Sequence, residues 1–404
     1  MVSVLMCTYN REKFLARAIE SVLSQTYEDL EFVIVDDGST DGTEELIRSY
    51  TDSRIKYLKQ EQNSFYCHAA NWGLWHCSGD YIAFMNSDDE WLPEKLERQI
   101  AFLNENRDYG ACFSAAYLID SDRKDVTDEC PLMRDVFAKQ YESQKECLRY
   151  FFRHGNSLCH PSAIVRKEVL DKVGAFNLMY CQMADFELWV RIVSQVPIHV
   201  MRDRLLRFRW DVKDKTQVSS DTREHAVRTF NEQVLIGRDL MNRLTDEQVR
   251  EYFAEDFVKQ DSNSHLEIEF ERCFLLLKRG AGMEYPEAIG MSRLEQVLNL
   301  PGAYEVLGDH FGMSIFELYE MNKIHIYQDP WGKKECESQQ NKIAKQRMRI
   351  ESLKRENQEL RKLIAEYADS SSWRLTEPLR RLGRMVKGHG QDYRIEKVRS
   401  KRRI

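Results

Sequence analysis

The sequence predicts an α/β fold: a mostly parallel, Rossmann-like sheet over residues 1–215, a helical accessory region over 216–330, a coiled coil over 335–368 and a basic tail over 369–404. Three observations predict it. Short apolar runs alternate with amphipathic segments through the first ninety residues, the strand–helix–strand order of a parallel sheet. One run, Phe32-Val33-Ile34-Val35, is apolar at every position, as in a strand covered on both faces. Beyond residue 220 the period is that of helices, and from Gln340 to Tyr367 it becomes a heptad.

Taken in order, residues 2–6 form a short strand followed by the polar Cys7-Thr8-Tyr9-Asn10. Residues 13–24 place Phe14, Leu15, Ala18, Ile19, Val22 and Leu23 on one side of a helix. The strand 32–35 ends in the turn Asp36-Asp37-Gly38-Ser39-Thr40-Asp41-Gly42, and a helix follows through Tyr50. Residues 55–58 are a third strand, 71–77 a helical piece, and 81–85 a fourth strand running into Asn86-Ser87-Asp88-Asp89. Pro93 then opens an amphipathic helix. Residues 120–144 are polar and irregular, as an insertion beside an active site is. Further on come a strand at 163–165, a helix at 166–173 stopped by Gly174, a helix with Asp185 at its start, and a last strand at 202–210 bearing Arg204, Arg207 and Arg209.

Composition narrows the class. The 404 residues supply two or three domains, and no apolar run approaches the ~20 residues of a membrane span. Strand-like sequence begins at Val2, so no secretory signal is expected, and the cysteines are scattered without a C-x-x-C pair, as in a reducing cytoplasm. The net charge of −7 conceals an asymmetry: residues 373–404 hold 11 Lys/Arg against 3 Asp/Glu, which leaves an acidic body with a basic tail.

In parallel sheets ligands bind at the carboxyl ends of the strands. Three such ends are polar here: Cys7-Thr8-Tyr9-Asn10, Asp36-Asp37-Gly38-Ser39 and Asn86-Ser87-Asp88-Asp89. Neither G-x-G-x-x-G nor G-x-x-x-x-G-K-[ST] occurs, so phosphate is not held by either glycine-rich loop. Adjacent carboxylates at a strand end suit a hard divalent cation that also holds substrate phosphates, or equally an acidic turn capping the next helix. Asp185 alone reads most simply as an N-cap. His160 either orients an acceptor, completes a metal shell or is hydrogen-bonded within Cys159-His160-Pro161-Ser162.

Residues 2 to about 210 resemble the catalytic domain of family 2 nucleotide-sugar glycosyltransferases, which have the GT-A fold. The matching segments are Val4-Leu5-Met6-Cys7-Thr8-Tyr9-Asn10, Ser21-Val22-Leu23-Ser24-Gln25-Thr26, Ile34-Val35-Asp36-Asp37-Gly38-Ser39-Thr40-Asp41, and Ser78-Gly79-Asp80-Tyr81-Ile82-Ala83-Phe84 leading into Ser87-Asp88-Asp89. The resemblance implies that Thr8, Tyr9 and Asp37 contact the base of the donor nucleotide. It also implies that Asp88 lies near the ribose or metal, that Asp89 is the principal ligand of Mn²⁺ or Mg²⁺, and that Asp185 is the catalytic base. Two departures stand out: Asn86 where the family often has Asp, and Ala184 where an acidic residue often precedes the base. The implied reaction is inverting transfer from a nucleotide-diphosphate sugar, a UDP-sugar first, to a glycan or lipid-linked acceptor of surface polysaccharide synthesis. A catalytically inactive scaffold that dimerises is the alternative. A nucleotidyltransferase lacks support, because its glycine- and lysine-rich N-terminal loop is missing.

From residue 220 to 324 helices are expected throughout, with a capping box at Thr245-Asp246-Glu247-Gln248 and breaks at Gly290 and Pro301. In the heptads, Ile343, Ile350, Asn357 and Ile364 occupy a, while Gln346, Leu353, Leu360 and Tyr367 occupy d. Isoleucine at a with leucine at d favours a parallel homodimer, and a lone Asn at a fixes its register. After it, Trp373-Arg374-Leu375-Thr376-Glu377-Pro378-Leu379-Arg380-Arg381-Leu382 mixes apolar and basic residues as a segment lying on an anionic membrane surface does. No aromatic platform or reading helix accompanies the charge, so nucleic acid is not expected as a partner.

Overall fold

A computed structural model describes residues 1–211, 222–277, 286–321 and 330–386. The boundary expected at 215–216, the end of the helical stretch at 324 and the basic residues 387–404 lie outside them. The chain forms two compact units, Met1–Trp331 and Gly332–Ile404.

The first unit is built on one sheet of eight strands: β1 (Val2–Thr8), β2 (Leu30–Asp36), β3 (Ile55–Lys59), β4 (Tyr81–Asn86), β5 (Glu90–Trp91), β6 (Ala111–Ile119), β7 (Ile164–Arg166) and β8 (Ile198–Arg209). Their spatial order is β3-β2-β1-β4-β7-β6-β8-β5. The first four are mutually parallel; β7 runs antiparallel to β4 and β6, and β6 pairs parallel with β8. The helices of this part are α1 (Glu12–Leu23), α2 (Thr43–Arg48), α3 (Tyr66–His76), α4 (Lys95–Glu105), α5 (Pro131–Phe137), α6 (Gln144–His154), α7 (Lys167–Val173) and α8 (Ala184–Val193). Along β1 and β2 alternate residues feed two cores: Leu5, Val33 and Val35 on one face, Val4, Met6, Phe32 and Ile34 on the other. This is why 32–35 is apolar without alternation. α1 buries Leu15, Ala18, Ile19 and Val22, the spacing of one helical face.

Three local differences from the expected elements have physical causes. α3 starts at Tyr66, five residues earlier than the apolar pattern indicates, because Asn63-Ser64-Phe65 turns the chain and Phe65 adopts φ 66°, ψ 160°. Residues 120–144 contain a short helix, α5, introduced by Pro131 in its first turn. Gly290 does not break a helix. It lies inside α12 (Pro286–Leu298), where a Cβ would come within 2.7 Å of Leu277, so glycine permits close helix packing.

Helices α9 (Arg223–Arg243), α10 (Asp246–Phe253), α11 (His265–Leu277), α12, α13 (Ala303–Asp309) and α14 (Ile315–Met321) follow, and the capping box at Thr245 and Gln248 is formed. α9 and α10 share the core of the sheet, with Phe253 edge-on to Phe152 of α6 at 5.3 Å. The 40-residue α15 (Pro330–Asp369) belongs to the second unit from Gly332 on, and α16 (Ser371–Leu375) and α17 (Glu377–Val386) follow in it. The a and d residues Ile343, Ile350, Leu353, Leu360, Ile364 and Tyr367 are all exposed on the single chain. Among the described residues no helix is long and apolar enough to cross a membrane.

Lys95 is buried without access to solvent. Its Nζ lies 4.0 Å from the Trp91 ring centroid and has no hydrogen-bond partner among the described residues. Burial pushes its ammonium down to about 7. Between that value and the ordinary lysine range near ~10.4 the unfolded chain binds more protons, so Lys95 destabilises the fold fully below pH ~7 and progressively less as pH rises. Lys95→Met is therefore expected to raise stability by roughly 1–4 kcal/mol at pH 7, a range discounted for the Trp91 contact, and by much less at pH 10. Thermal unfolding at the two pH values checks this, and a Met variant less stable at pH 7 contradicts it.

Candidate active site

The sheet register brings three polar strand ends to one edge. Thr8 of β1 pairs with Asp36 of β2, and Cys7 with Asn86 of β4. Asp36 is turned inward, its carboxylate accepting the Ser39 N–H (2.8 Å) and the Tyr57 hydroxyl (2.9 Å). In Asp37, Oδ1 accepts both the N–H and the hydroxyl of Ser64 (2.8 and 2.7 Å). The next residue, Phe65, holds a positive φ that favours glycine while its ring is 70% exposed. Tyr9 is exposed, and the Thr8 hydroxyl is buried with no hydrogen-bond partner among the described residues. Buried polar groups without partners are rare, so this edge fits a polar ligand that completes it.

At the end of β4 the two adjacent carboxylates have different environments. Asp89 is 1% exposed; its Oδ1 accepts the backbone N–H of Arg209 (2.7 Å) and its Oδ2 the side-chain amide of Asn86 (2.9 Å). The Arg209 guanidinium donates in turn to the carbonyls of Asp88 (3.0 Å) and Asp120 (2.7 Å). Burial and the Asp88 charge push the Asp89 carboxyl well above the usual carboxylate range, against those two donors. Asp88 is only half-buried. Both Asp89 oxygens are engaged inside the fold, and Asp88 is the more exposed of the pair. Asn86 also changes meaning, because its amide donates where a second carboxylate would face Asp89 at 2.9 Å.

A hard cation such as Mg²⁺ takes one or two protein carboxylates and leaves its other positions to water and substrate phosphate, which Asp88 with Asp89 behind it fits. Asp246, His265 and Glu269 bring metal-type ligand atoms within 4.8 Å of one another. There Arg272 and Arg293 already pair with the two carboxylates (2.8 and 2.7 Å), so the protein supplies the positive charge itself.

Asp185 stands in the first turn of α8, whose N-cap is Met183 without a side-chain cap. Its Oδ1 accepts the Phe186 N–H (2.7 Å) and its Oδ2 the Asn156 amide (3.1 Å). Burial raises its carboxyl to about 6, opposed by these two donors. Ala184 faces the core, so an acidic residue there would be buried. The loop before α8 is tied down along its length. Arg191 donates to the carbonyls of Val173, Gly174 and Ala175, Asn71 exchanges two 2.8 Å bonds with the Phe176 backbone, and the Cys67 thiol donates to the Tyr180 carbonyl.

His160 lies in a short 3₁₀ turn with its ring against Phe84, Tyr66 and Trp189. Its Nε2 meets the Tyr66 hydroxyl at 2.7 Å, its Nδ1 is enclosed, and burial lowers it to about 4, so the imidazole is neutral. Burial, with the charges of Asp89 and Asp185, pushes the preceding Cys159 thiol well above its ordinary range. Asn156, Tyr66, Arg209 and Glu232 are site neighbours that sequence reasoning misses or leaves without a role; their contacts span 29 or more residues, and no local pattern marks them.

An α/β sheet with acidic strand ends and no glycine-rich phosphate loop is the architecture expected of a GT-A glycosyltransferase. Residues 3–174 match "Glycosyl transferase family 2". A Methanocaldococcus jannaschii protein called "Uncharacterized glycosyltransferase MJ1057" is 32% identical over 219 residues, 53% of this chain and 72% of that protein. The Escherichia coli "UDP-Glc:alpha-D-GlcNAc-diphosphoundecaprenol beta-1,3-glucosyltransferase WfaP" is 31% identical over 198 residues, 48% of this chain and 71% of that one. Among solved structures, S. aureus TarS 1–349 in complex with UDP-GlcNAc aligns with a TM-score of 0.46 at 20% identity, covering 77% of this chain and 89% of that one. The chain belongs to glycosyl transferase family 2.

The two aspartates at the end of β4 separate by stability. Asp89→Ala leaves the Arg209 N–H and the Asn86 amide unpaired in the interior and is expected to cost about 2–4 kcal/mol. Asp88→Ala, at a half-buried position, is expected to cost clearly less. Denaturant unfolding of both variants checks this, and equal losses contradict the assignment.

Proposed function

We propose that this chain is a cation-dependent, inverting glycosyltransferase that moves a sugar from a nucleotide-diphosphate donor to a hydroxyl of a glycan or lipid-linked acceptor. The observation that carries the reading is the half-buried Asp185, with its carboxyl raised to about 6, in a family 2 chain whose strand ends present Thr8, Tyr9, Asp37 and Asp88. A base is most effective when its pKa lies near the working pH. Thr8, Tyr9 and Asp37 bind the nucleoside, with the orphaned Thr8 hydroxyl taking up a polar contact from it. Asp88, backed by Asp89, holds Mn²⁺ or Mg²⁺, which when bound neutralises the departing diphosphate. Asp185 accepts the proton of the acceptor hydroxyl as that oxygen attacks the anomeric carbon from the face opposite the leaving group. His160, neutral and bonded to Tyr66, stiffens the aromatic wall and makes no proton transfer.

A UDP-sugar donor and a polyprenyl-diphosphate-linked acceptor are the first choices, since the relative WfaP is named for both. The inactive-scaffold alternative loses its support, because Asn86 has a bonding role and Ala184 a packing one. In the second unit, the exposed heptad seam of α15 pairs with a second copy in parallel. The exposed Leu375, Leu379 and Leu382, interleaved with Arg374, Arg380 and Arg381, lie on an anionic membrane and keep the enzyme beside a lipid-linked acceptor.

Asp185→Asn is expected to bind UDP nearly as wild type does while kcat falls by about 10²-fold or more. The base works only as carboxylate, so wild-type kcat/KM rises with pH through a limb near 6 that the Asn variant lacks. Asp88→Ala is expected to lose the Mn²⁺-dependent part of UDP binding in calorimetry. Full turnover by Asp185→Asn removes it as the base.

For the second unit, Ile350→Asp in the full chain is expected to halve the mass seen by light scattering. Leu379→Asp is expected to abolish salt-sensitive co-sedimentation with phosphatidylglycerol vesicles. An unchanged mass or unchanged sedimentation contradicts the respective assignment.

A further inference from the structure

The segment bearing Asp185 lies beyond residues 3–174, the stretch matched by the family, so its placement depends on features that the match does not cover. One of these is a carboxylate from the helical region. Glu232, in α9, is 4% exposed, although a glutamate on a long amphipathic helix ordinarily faces water. Its Oε1 accepts the N–H of Cys181 (2.9 Å), and its Oε2 accepts the N–H groups of Gln182 (2.9 Å) and Met183 (2.8 Å). Three consecutive backbone donors thus converge on one buried anion, and the last of them belongs to the N-cap residue of α8. Asp185 follows two residues later.

We propose that Glu232 is the positioning residue for the base, and that the helical region controls turnover through this single carboxylate. The proposal rests on Asp185 acting as the base. Without Glu232 three N–H groups lose their acceptor, and the loop rotates to find others, carrying the first turn of α8 with it. A glutamine cannot substitute: it offers one carbonyl oxygen, and its NH₂ group would face an N–H donor. The loop's other ties, from Arg191, Asn71 and Cys67, hold residues 173–180; the backbone N–H groups of 181–183 are left to Glu232, beside which Arg228 of the same helix donates to the Cys181 sulfur (3.5 Å). The effect is therefore local to the base and leaves the nucleoside edge at Thr8, Tyr9 and Asp37 intact.

The charge of Glu232 also reaches Asp185. The groups facing that carboxyl are the Asn156 amide and the Phe186 N–H, which favour its ionised form, and the Tyr66 hydroxyl, the Cys67 and Cys159 thiols and Glu232 around it. Glu232 is the anion among them that opposes ionisation of Asp185. Removing its charge lowers the pH at which the base becomes active, which loss of packing alone does not do.

The test uses the full-length enzyme and Glu232→Gln. It measures UDP binding by calorimetry, UDP release from whichever of UDP-glucose and UDP-GlcNAc the wild type uses, and amide exchange of residues 181–186. The expected result is UDP affinity within about twofold of wild type, kcat lower by about tenfold or more, an acid limb moved to lower pH, and faster exchange at 181–183. Glu232→Asp, which restores the charge, is expected to return the limb toward the wild-type pH. If Glu232→Gln proves too unstable, wild-type exchange decides: 181–183 must be protected like the body of α8, and exchange as fast as an exposed loop overturns the proposal. Unchanged kcat and pH profile, or equal losses of UDP affinity and turnover, also overturn it. If Asp185→Asn turns over normally the base assignment fails, yet faster exchange in Glu232→Gln still reports the clamp, so the two failures are distinguishable.

Discussion

The end of β4 is held to the end of β8 by the buried carboxylate of Asp89, and the catalytic edge depends on that tie. Together with the pairing of Glu90 and Trp91 in β5 with Arg207 and Leu206 in β8, it fixes the turn after Asn86 against a strand 120 residues away. With it, Arg209 is placed so that its guanidinium fixes the Asp88 carbonyl, and Asp88 is delivered at a set position on the edge where β1 and β2 also end. The burial is unfavourable for a carboxylate, and two donors offset it. The two adjacent aspartates therefore have opposite surroundings: Asp89 is held in the interior, and Asp88 stands half-buried at the edge. The same division recurs at Asp36 and Asp37, where the first bonds inward to Tyr57 and the second lies at the rim with Ser64.

The opposite wall follows a different logic. A loop from Gly174 to Met183 has little secondary structure of its own, yet it must present Asp185 reproducibly. It is fixed by side chains from elsewhere: Arg191 at its start, Asn71 and Cys67 in its middle, and Glu232 at its end. The turn Cys159–Ser162 carries a neutral histidine braced by Tyr66 and packed against Phe84 and Trp189.

Much of this is legible in the sequence, and what is not has a common cause. Strand ends at Thr8, Asp37 and Asp88 can be read because polar residues interrupt apolar runs, a pattern local to ten residues. The alternation that hides in 32–35 is equally local. The role of each carboxylate within a pair is not local: Asp89 is internal because of Arg209, and nothing near residue 89 announces it. Glu232 reads as surface charge until the loop backbone is folded against it. Phe65 reads as an ordinary aromatic, since a positive φ leaves no mark on composition. Strand β6, Ala111–Ile119, goes unnamed in the sequence although Asp120-Ser121-Asp122 closes it, and its partners β7 and β8 come much later. Heptads are legible from 340 onward because their geometry needs only a single helix, and α15 supplies it.

The proposal that Asp88 holds the cation at the donor diphosphate and Asp185 is the base is tested most directly by a crystal structure with UDP and Mn²⁺ measured at the manganese absorption edge. The account predicts an anomalous peak coordinated by Asp88 and the diphosphate, with the uracil ring beside Tyr9 and Asp37 and the Asp185 carboxylate turned toward the open side of the site. A peak at Asp246, His265 and Glu269 instead, or UDP bound away from the ends of β1, β2 and β4, contradicts it.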